Sequence, residues 1–388
     1  MISKVGITTY YDSYNEGTLL QAYSVKTLLQ NELSEATIEM LGYRFRPRSL
    51  PKYLLDIRKP MRNYYRFARE MKIRRFVRDH IYSARQLITP DYNKALQLAQ
   101  NGRYDMLITG SDTVWQILGD PAVPSFPNIY WLPKELRCLK VAMAVSANNT
   151  KIAELDAQSQ KFIKDCLEDY FLIGVRDDVT QQLVTELCPG VEEKVLRVPD
   201  PTFAIDFPKT QVKQKLINAG FDLNRPIIGF NLPDTPLIRL LLMHFVKKSY
   251  QLLPFAYNDL MNLPGARCVS MSPFEWAEVY RYLSLCITER FHGGVFSLKS
   301  KCPFLALDFS PSCPGSTNKI YSLLKEFDLL NRHLVMYDSP VTPEFLIERA
   351  SMCEEKLDEG KMDEMLQFCK KTWDEFLLRL REKLIAYE

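Results

Sequence analysis

Short runs of β-branched and other apolar residues alternate with helical periodicity along most of this chain, and that alternation narrows the possible folds more than any other feature. Strands that recur with helices between them form βα units, which close into parallel sheets covered by helices on both faces. The first half offers strands at Ser3 to Thr8, Ala36 to Leu41, Asp105 to Thr109, Lys140 to Val145, Phe171 to Val175 and Val195 to Val198. The second half repeats the pattern from Ile227 to Asn231 onward, with strands near 252–257, 284–288, 303–307 and 333–336 and helices near 236–249, 273–283, 293–300 and 316–328. The fold class is therefore α/β.

At 388 residues the chain is longer than one hydrophobic core usually fills, so two domains are expected. The polar stretch 203–224, with Pro208 and Gly220, supplies the boundary. This gives a first domain over 1–205, with a basic helical insertion near 44–85, and a second over 206–342. Residues 343–388 form C-terminal helices, and Leu366, Trp373, Phe376, Leu377 and Leu380 give the last one an apolar face that packs across a domain surface.

Several classes are disfavoured. Lys247 and Lys248 interrupt the most apolar stretch, Leu237 to Tyr257, short of the roughly 18 residues that a membrane span requires. The first residues enter a β-like run with no secretory pattern, so a soluble, cytoplasmic protein is expected. Nine cysteines without a Cys-x-x-Cys pair suit a reducing compartment and offer no metal-ligand spacing. Charge is segregated: residues 44–85 hold fourteen Arg or Lys against three acids, a net +11 in a chain of net +3, so the remainder carries −8. With Tyr53, Tyr64, Tyr65 and Phe67 interleaved, this segment suits an anionic bilayer or a lipid-diphosphate-linked ligand, while the acidic remainder argues against nucleic acid. Its plainest reading is a solvated helical face.

Ligands of open α/β sheets collect beyond the carboxyl ends of the strands, which directs attention to four segments. In Thr288-Glu289-Arg290-Phe291-His292-Gly293-Gly294 a strand runs through a tight turn into a helix. Glycines at a helix start allow close backbone approach, the N–H groups there attract anions, and an arginine adds a bidentate fork. A histidine in that setting is a candidate general acid, the alternative being a cap for its own helix. Gly110-Ser111-Asp112-Thr113-Val114-Trp115 ends another strand in small polar residues, with Trp115 either core or sugar platform. Val175-Arg176-Asp177-Asp178 delivers an arginine at a strand end, the alternative being a surface ion pair with Asp177 or Asp178. The opening segment, Thr8 to Tyr23, is a strand, a polar loop and a helix, and matches neither a dinucleotide fingerprint nor a P-loop.

Taken in order, these segments resemble the polysaccharide pyruvyl transferase family. Gly17 to Tyr23 resembles its Gly-x-x-Leu-Gln-Ala-Tyr opening, Gly110 to Gln116 its Gly-Ser-Asp-Gln-Val-Trp-Asn, Val175-Arg176-Asp177 its Val-Arg-Glu, and Asp200-Pro201-Thr202 its Asp-Pro-Thr. Ser272-Pro273-Phe274-Glu275-Trp276, Phe291-His292-Gly293 and Asn318-Lys319-Ile320 follow at the family's places. Departures are Glu16 in place of an aromatic, Thr113 of Gln, Lys319 of Arg, and Ser146-Ala147-Asn148 of Ser-Phe-Gly.

The resemblance implies two facing Rossmann-like domains in the GT-B glycosyltransferase architecture, with a C-terminal helix crossing back. It implies transfer of the pyruvyl group of phosphoenolpyruvate to a sugar of a surface polysaccharide or lipid-linked precursor, without metal or cofactor, at the inner face of the membrane. His292 would be the acid; Arg176, Arg290, Lys319, Gly293 and Asn318 would hold the donor; Gly17, Gln21, Ser111 and Asp112 would shape the acceptor side. The rivals are a glycosyltransferase of this architecture using a nucleotide sugar and a non-catalytic binding protein on the same fold.

Overall fold

The computed structural model describes residues 2–46, 58–81, 86–117, 124–148, 150–309, 319–337 and 340–387. It divides into two compact units: Met1–Ser49, Phe76–Asp206 and Gln367–Glu388 form the first, Leu50–Arg75 and Phe207–Leu366 the second.

The first unit is built on six parallel strands: β1 (Lys4–Thr8), β2 (Thr37–Met40), β5 (Met106–Thr109), β6 (Leu139–Val145), β7 (Leu172–Val175) and β8 (Val195–Arg197). Their order across the sheet is β2-β1-β5-β6-β7-β8. β5 and β7 are buried along their whole length, as expected of Val/Ile/Leu runs with helices on both faces. The helices are α1 (Glu16–Glu32), α3 (Tyr92–Asn101), α4 (Ala157–Glu168) and α5 (Asp178–Leu187); Asp91, Asp156 and Asp177 each cap the one that follows. A two-stranded parallel sheet, β3 (Tyr43–Arg44) with β4 (Leu87–Ile88), has no counterpart in the sequence reading; strands of two residues carry too short a pattern to register.

The second unit carries β9 (Ile227–Asn231), β10 (Gln251–Pro254), β11 (Leu285–Thr288), β12 (Phe304–Asp308) and β13 (His333–Val335), parallel and ordered β10-β9-β11-β12-β13. Between them lie α7 (Pro236–Lys247), α8 (Pro273–Val279), α9 (Phe291–Lys299) and α10 (Lys319–Glu326). The apolar stretch that came nearest to a membrane span is α7 followed by β10. Thr235 caps α7, Pro236 occupies its first turn, and Ile238, Leu241, Leu242 and Phe245 are buried at helical spacing. Full burial of each contributes about 1.5–3 kcal/mol before ordering costs. No helix among the described residues is long and apolar enough to cross a membrane.

Two segments cross the chain order. The basic helix α2 (Pro60–Phe76) belongs, through Arg75, to the second unit, although it precedes most of the first in sequence. Helix α11 (Pro343–Met352) stays with the second unit. The long α12 (Glu359–Tyr387) begins there and ends in the first, where Trp373 donates to the Pro199 carbonyl at 3.2 Å and Arg381 pairs with Glu32 at 2.6 Å. A side chain on Gly174 of β7 would come within 2.9 Å of Phe376, so helix and strand meet without a spacer.

Candidate functional site

In each sheet the chain builds outward to one side of its first strand and then returns to build on the other, and the strand ends diverge where the direction changes. In the first unit this happens between β1 and β5. Gly110, just past β5, has φ +109°, and a Cβ there would lie 2.2 Å from the Met143 carbonyl oxygen, so only glycine lets the backbone turn there. Asp112 follows with φ +89°, a conformation rare for a residue with a side chain.

The sequence candidates of this half gather at that edge. Asp112 accepts from Thr18 Oγ1 at 3.2 Å and from the Thr113 amide at 2.8 Å, and its own carbonyl accepts from the Ser146 amide at 3.0 Å. Arg176, 6% exposed, lies 3.9 Å from Asp112 and 3.3 Å from Asp200. Asp200 also accepts from Gln21 and from both the amide and hydroxyl of Thr202, at 3.0 and 2.6 Å. Arg176 is therefore not in a surface pair with its neighbours in sequence. Asp177 caps α5 by accepting from the Thr180 amide at 2.8 Å, and Asp178 pairs with Arg197 at 3.4 Å. One guanidinium thus lies between two buried carboxylates. Gly17 sits in the first turn of α1, its amide bound to the Asn15 cap at 3.1 Å. Ser111 Oγ and Gln21 Oε1 are buried and find no hydrogen-bond partner among the described residues. Trp115 is core: fully buried, it stacks on Trp131 with ring centroids 4.7 Å apart.

In the second unit the direction changes between β9 and β11, and β11 runs straight into α9. The Glu289 amide bonds to the Asn231 carbonyl at 3.1 Å, holding the end of β11 on β9. Arg290 occupies the N-cap position with an extended backbone, and its side chain makes no capping bond; the guanidinium, 60% exposed, pairs with Glu289 at 3.2 Å. His292 is the second residue of α9 and 5% exposed, so it is not the cap of its helix. In the first turn of α9 the Gly293 amide donates to the Arg290 carbonyl at 3.0 Å, and the positive dipole end lies at this helix start. Gly293 is fixed by packing, since a Cβ would lie 2.3 Å from Thr288 Oγ1. Lys319 is the first residue of α10 and half-buried; Asn318 lies outside the described residues.

Three residues that the sequence reading left out of the site belong to these edges. Asp200 and Thr18 complete the polar cluster around Arg176, although only the Asp-Pro-Thr string drew attention to the former. Burial pushes the Glu289 carboxyl above its usual range, with Arg290 opposing, and a perturbed acid at a strand's carboxyl end marks a functional candidate. Its position directly before Arg290 was the available signal. The second edge thus joins an exposed guanidinium, a helix start and a nearly buried imidazole, a set suited to binding a small anion and supplying a proton.

A family model described as polysaccharide pyruvyl transferase matches residues 17–311. No curated protein matches the chain. Among solved structures, UDP-N-acetylglucosamine 2-epimerase from Rickettsia bellii is similar over 100% of this chain and 97% of its own, with 9% identity and a TM-score of 0.54. The Anabaena protein HepE in complex with UDP and glucose is similar over 100% of both chains, with 8% identity and a TM-score of 0.53. The epimerase from Methanocaldococcus jannaschii covers 95% of this chain and 99% of its own, at 7% identity and a TM-score of 0.53. Likeness at such identity concerns the fold, which is of the GT-B type with two Rossmann-like domains.

Proposed function

Because the chain belongs to the polysaccharide pyruvyl transferase family and is a transferase, we propose that it moves the pyruvyl group of phosphoenolpyruvate onto two hydroxyls of a glycan as a ketal, releasing phosphate. The observation that carries this reading is the start of α9, where Arg290 and His292 flank a glycine-opened helix end at the direction change of the second sheet. The donor bears a carboxylate and a phosphate, and Arg290, the α9 amides and Lys319 are the groups assigned to them. Arg176, beside the carboxylates of Asp112 and Asp200, is assigned to the donor as well.

His292 gives its proton to the methylene carbon of the donor, which becomes the methyl group while the adjacent carbon gains cationic character. One sugar hydroxyl forms a bond to that carbon and loses its proton; the carbon–oxygen bond to phosphate breaks and phosphate leaves; the second hydroxyl then bonds to the same carbon and loses its proton, closing the ketal, so that one of the two protons restores the acid and the other goes with the phosphate. The sequence asks for no cofactor beyond the donor. Gly17, Gln21, Ser111 and Asp112 are assigned to the acceptor side, where the unpartnered Ser111 Oγ and Gln21 Oε1 would meet sugar hydroxyls. A lipid-linked precursor as acceptor would place the reaction at the inner face of a membrane.

His292→Gln should lower phosphate release from phosphoenolpyruvate by roughly a hundredfold or more. Full turnover by that variant would remove the proposed acid. If a UDP-sugar raises the melting temperature of the wild-type protein and phosphoenolpyruvate does not, the nucleotide-sugar glycosyltransferase reading replaces this one.

A further inference from the structure

Helix α2 turns basic as well as apolar side chains towards its own unit, where Ile73 is fully buried and Tyr65 packs on Tyr257 with ring centroids 5.4 Å apart. The side turned towards its own unit carries cations: Arg62 meets Asp259 at 3.5 Å, Arg66 donates to the Tyr257 carbonyl at 2.9 Å, and Lys72 lies 3.6 Å from Glu275. Lys59, just before the helix, also pairs with Asp259. The opposite side carries Met61, Tyr64, Phe67 and Met71, which are 58%, 61%, 49% and 50% exposed. These four fall at helical spacing and form one stripe, and Arg74 and Arg75 continue it, both exposed. A helix on a water-facing surface ordinarily places charged and polar residues on its outer side. Isolated exposed apolar residues require no explanation, but four in a row on one helix, paid for by turning arginines inward, do.

We propose that this stripe docks on an anionic bilayer surface, with α2 lying in the interface plane and Met61, Tyr64, Phe67 and Met71 inserted among the headgroups. Charge decides between occupants. Residues 58–75 hold eight Arg or Lys and one acid, Glu70, so the segment is net positive; Asp259 and Glu275 meet its inward cations, while Arg58, Arg74 and Arg75 are exposed. A second copy of the same face would be repelled, whereas anionic headgroups would be attracted. The docking rests on this surface and not on the identity of the donor, although it would give a lipid-linked acceptor a short path to the enzyme.

The test uses the full chain and vesicles of phosphatidylcholine with and without roughly one-third phosphatidylglycerol, at low salt and at about 0.5 M. Wild type should sediment with the anionic vesicles at low salt, and Tyr64→Trp should shift its emission to the blue on binding. Phe67→Ser with Met71→Ser should weaken binding roughly tenfold or more, and Arg74→Gln and Arg75→Gln by about fivefold each. Apart from Arg74→Gln, which takes a cation away from the buried Glu70 carboxylate, these variants should keep the wild-type melting temperature and phosphate release with soluble substrates. Equal partition of wild type and Phe67→Ser/Met71→Ser would overturn the proposal, as would a vesicle-independent dimer that the same double variant dissolves. Vesicle binding without any phosphate release would sink the proposed function and spare the docking; the reverse result would do the opposite.

Discussion

Replacing Gly293 by alanine tests the link between packing and chemistry most directly. The added Cβ would lie 2.3 Å from Thr288 Oγ1 and 2.8 Å from both Cβ and Cγ2 of that residue. Thr288 is fully buried at the end of β11 and branched at Cβ, so it has no flexible end to swing aside. An ordinary contact is about 3.5 Å, so the start of α9 must retreat by roughly 1 Å, taking Arg290 and His292 with it. Overpacking of this kind costs about 1–3 kcal/mol, and a shift of that size at a reacting group costs roughly a hundredfold in rate. Gly294→Ala is the matched control. Among the described residues its Cβ meets nothing nearer than Leu323 Cδ2 at 3.4 Å, while it gains the same helical preference over glycine, up to about 1 kcal/mol. Thermal melts and initial rates of phosphate release, run in parallel, should show Gly294→Ala near wild type and Gly293→Ala both less stable and nearly inactive. Indistinguishable behaviour of the two would refute the idea that the close approach of α9 to β11 positions the imidazole.

Two further outcomes follow from the buried charges. Arg176→Met should cost about 3–5 kcal/mol by taking a cation away from the buried Asp112 and Asp200; a higher donor KM with unchanged melting temperature would instead mean that Arg176 acts only on the donor. Burial lowers Lys72 to about 8 from its usual 10.5, with the neighbouring Lys215 cation adding to the effect. Both folded and unfolded chains hold that proton below pH 8, so the cost is full there; between pH 8 and 10.5 the unfolded chain holds more protons and stability rises with pH. Lys72→Met should therefore be stabilising at pH 7 and lose its advantage towards pH 10, as melting curves across that range would show.

The fold class was legible because buried parallel strands read as bare apolar runs. Ile227–Asn231 agrees to the residue, and Leu172–Val175 within one residue. The two edges were also partly legible, since residues that follow a strand mark its carboxyl end: Asp112, Arg176, Arg290 and His292 were all reached that way. Asp200 also follows a strand, β8, but its pairing with Arg176 was not legible, because no local period links the two; only the order of β5, β6, β7 and β8 across the sheet brings these residues together. Helix α2 shows the same limit. Its composition announced a basic segment, but not that Asp259, Glu275 and the carbonyls of 257 and 270 would claim one side of it, leaving methionine and aromatic side chains outside.

By itself the sequence determined what each segment is: strand or helix from the period of its apolar residues, and a tight turn from its glycines. Tertiary structure decided which charges meet and which faces remain open. Periodicity is a property of neighbours along the chain, whereas an ion pair or a clash such as that at Gly293 depends on a backbone approach set by distant strands, and no local pattern encodes that distance.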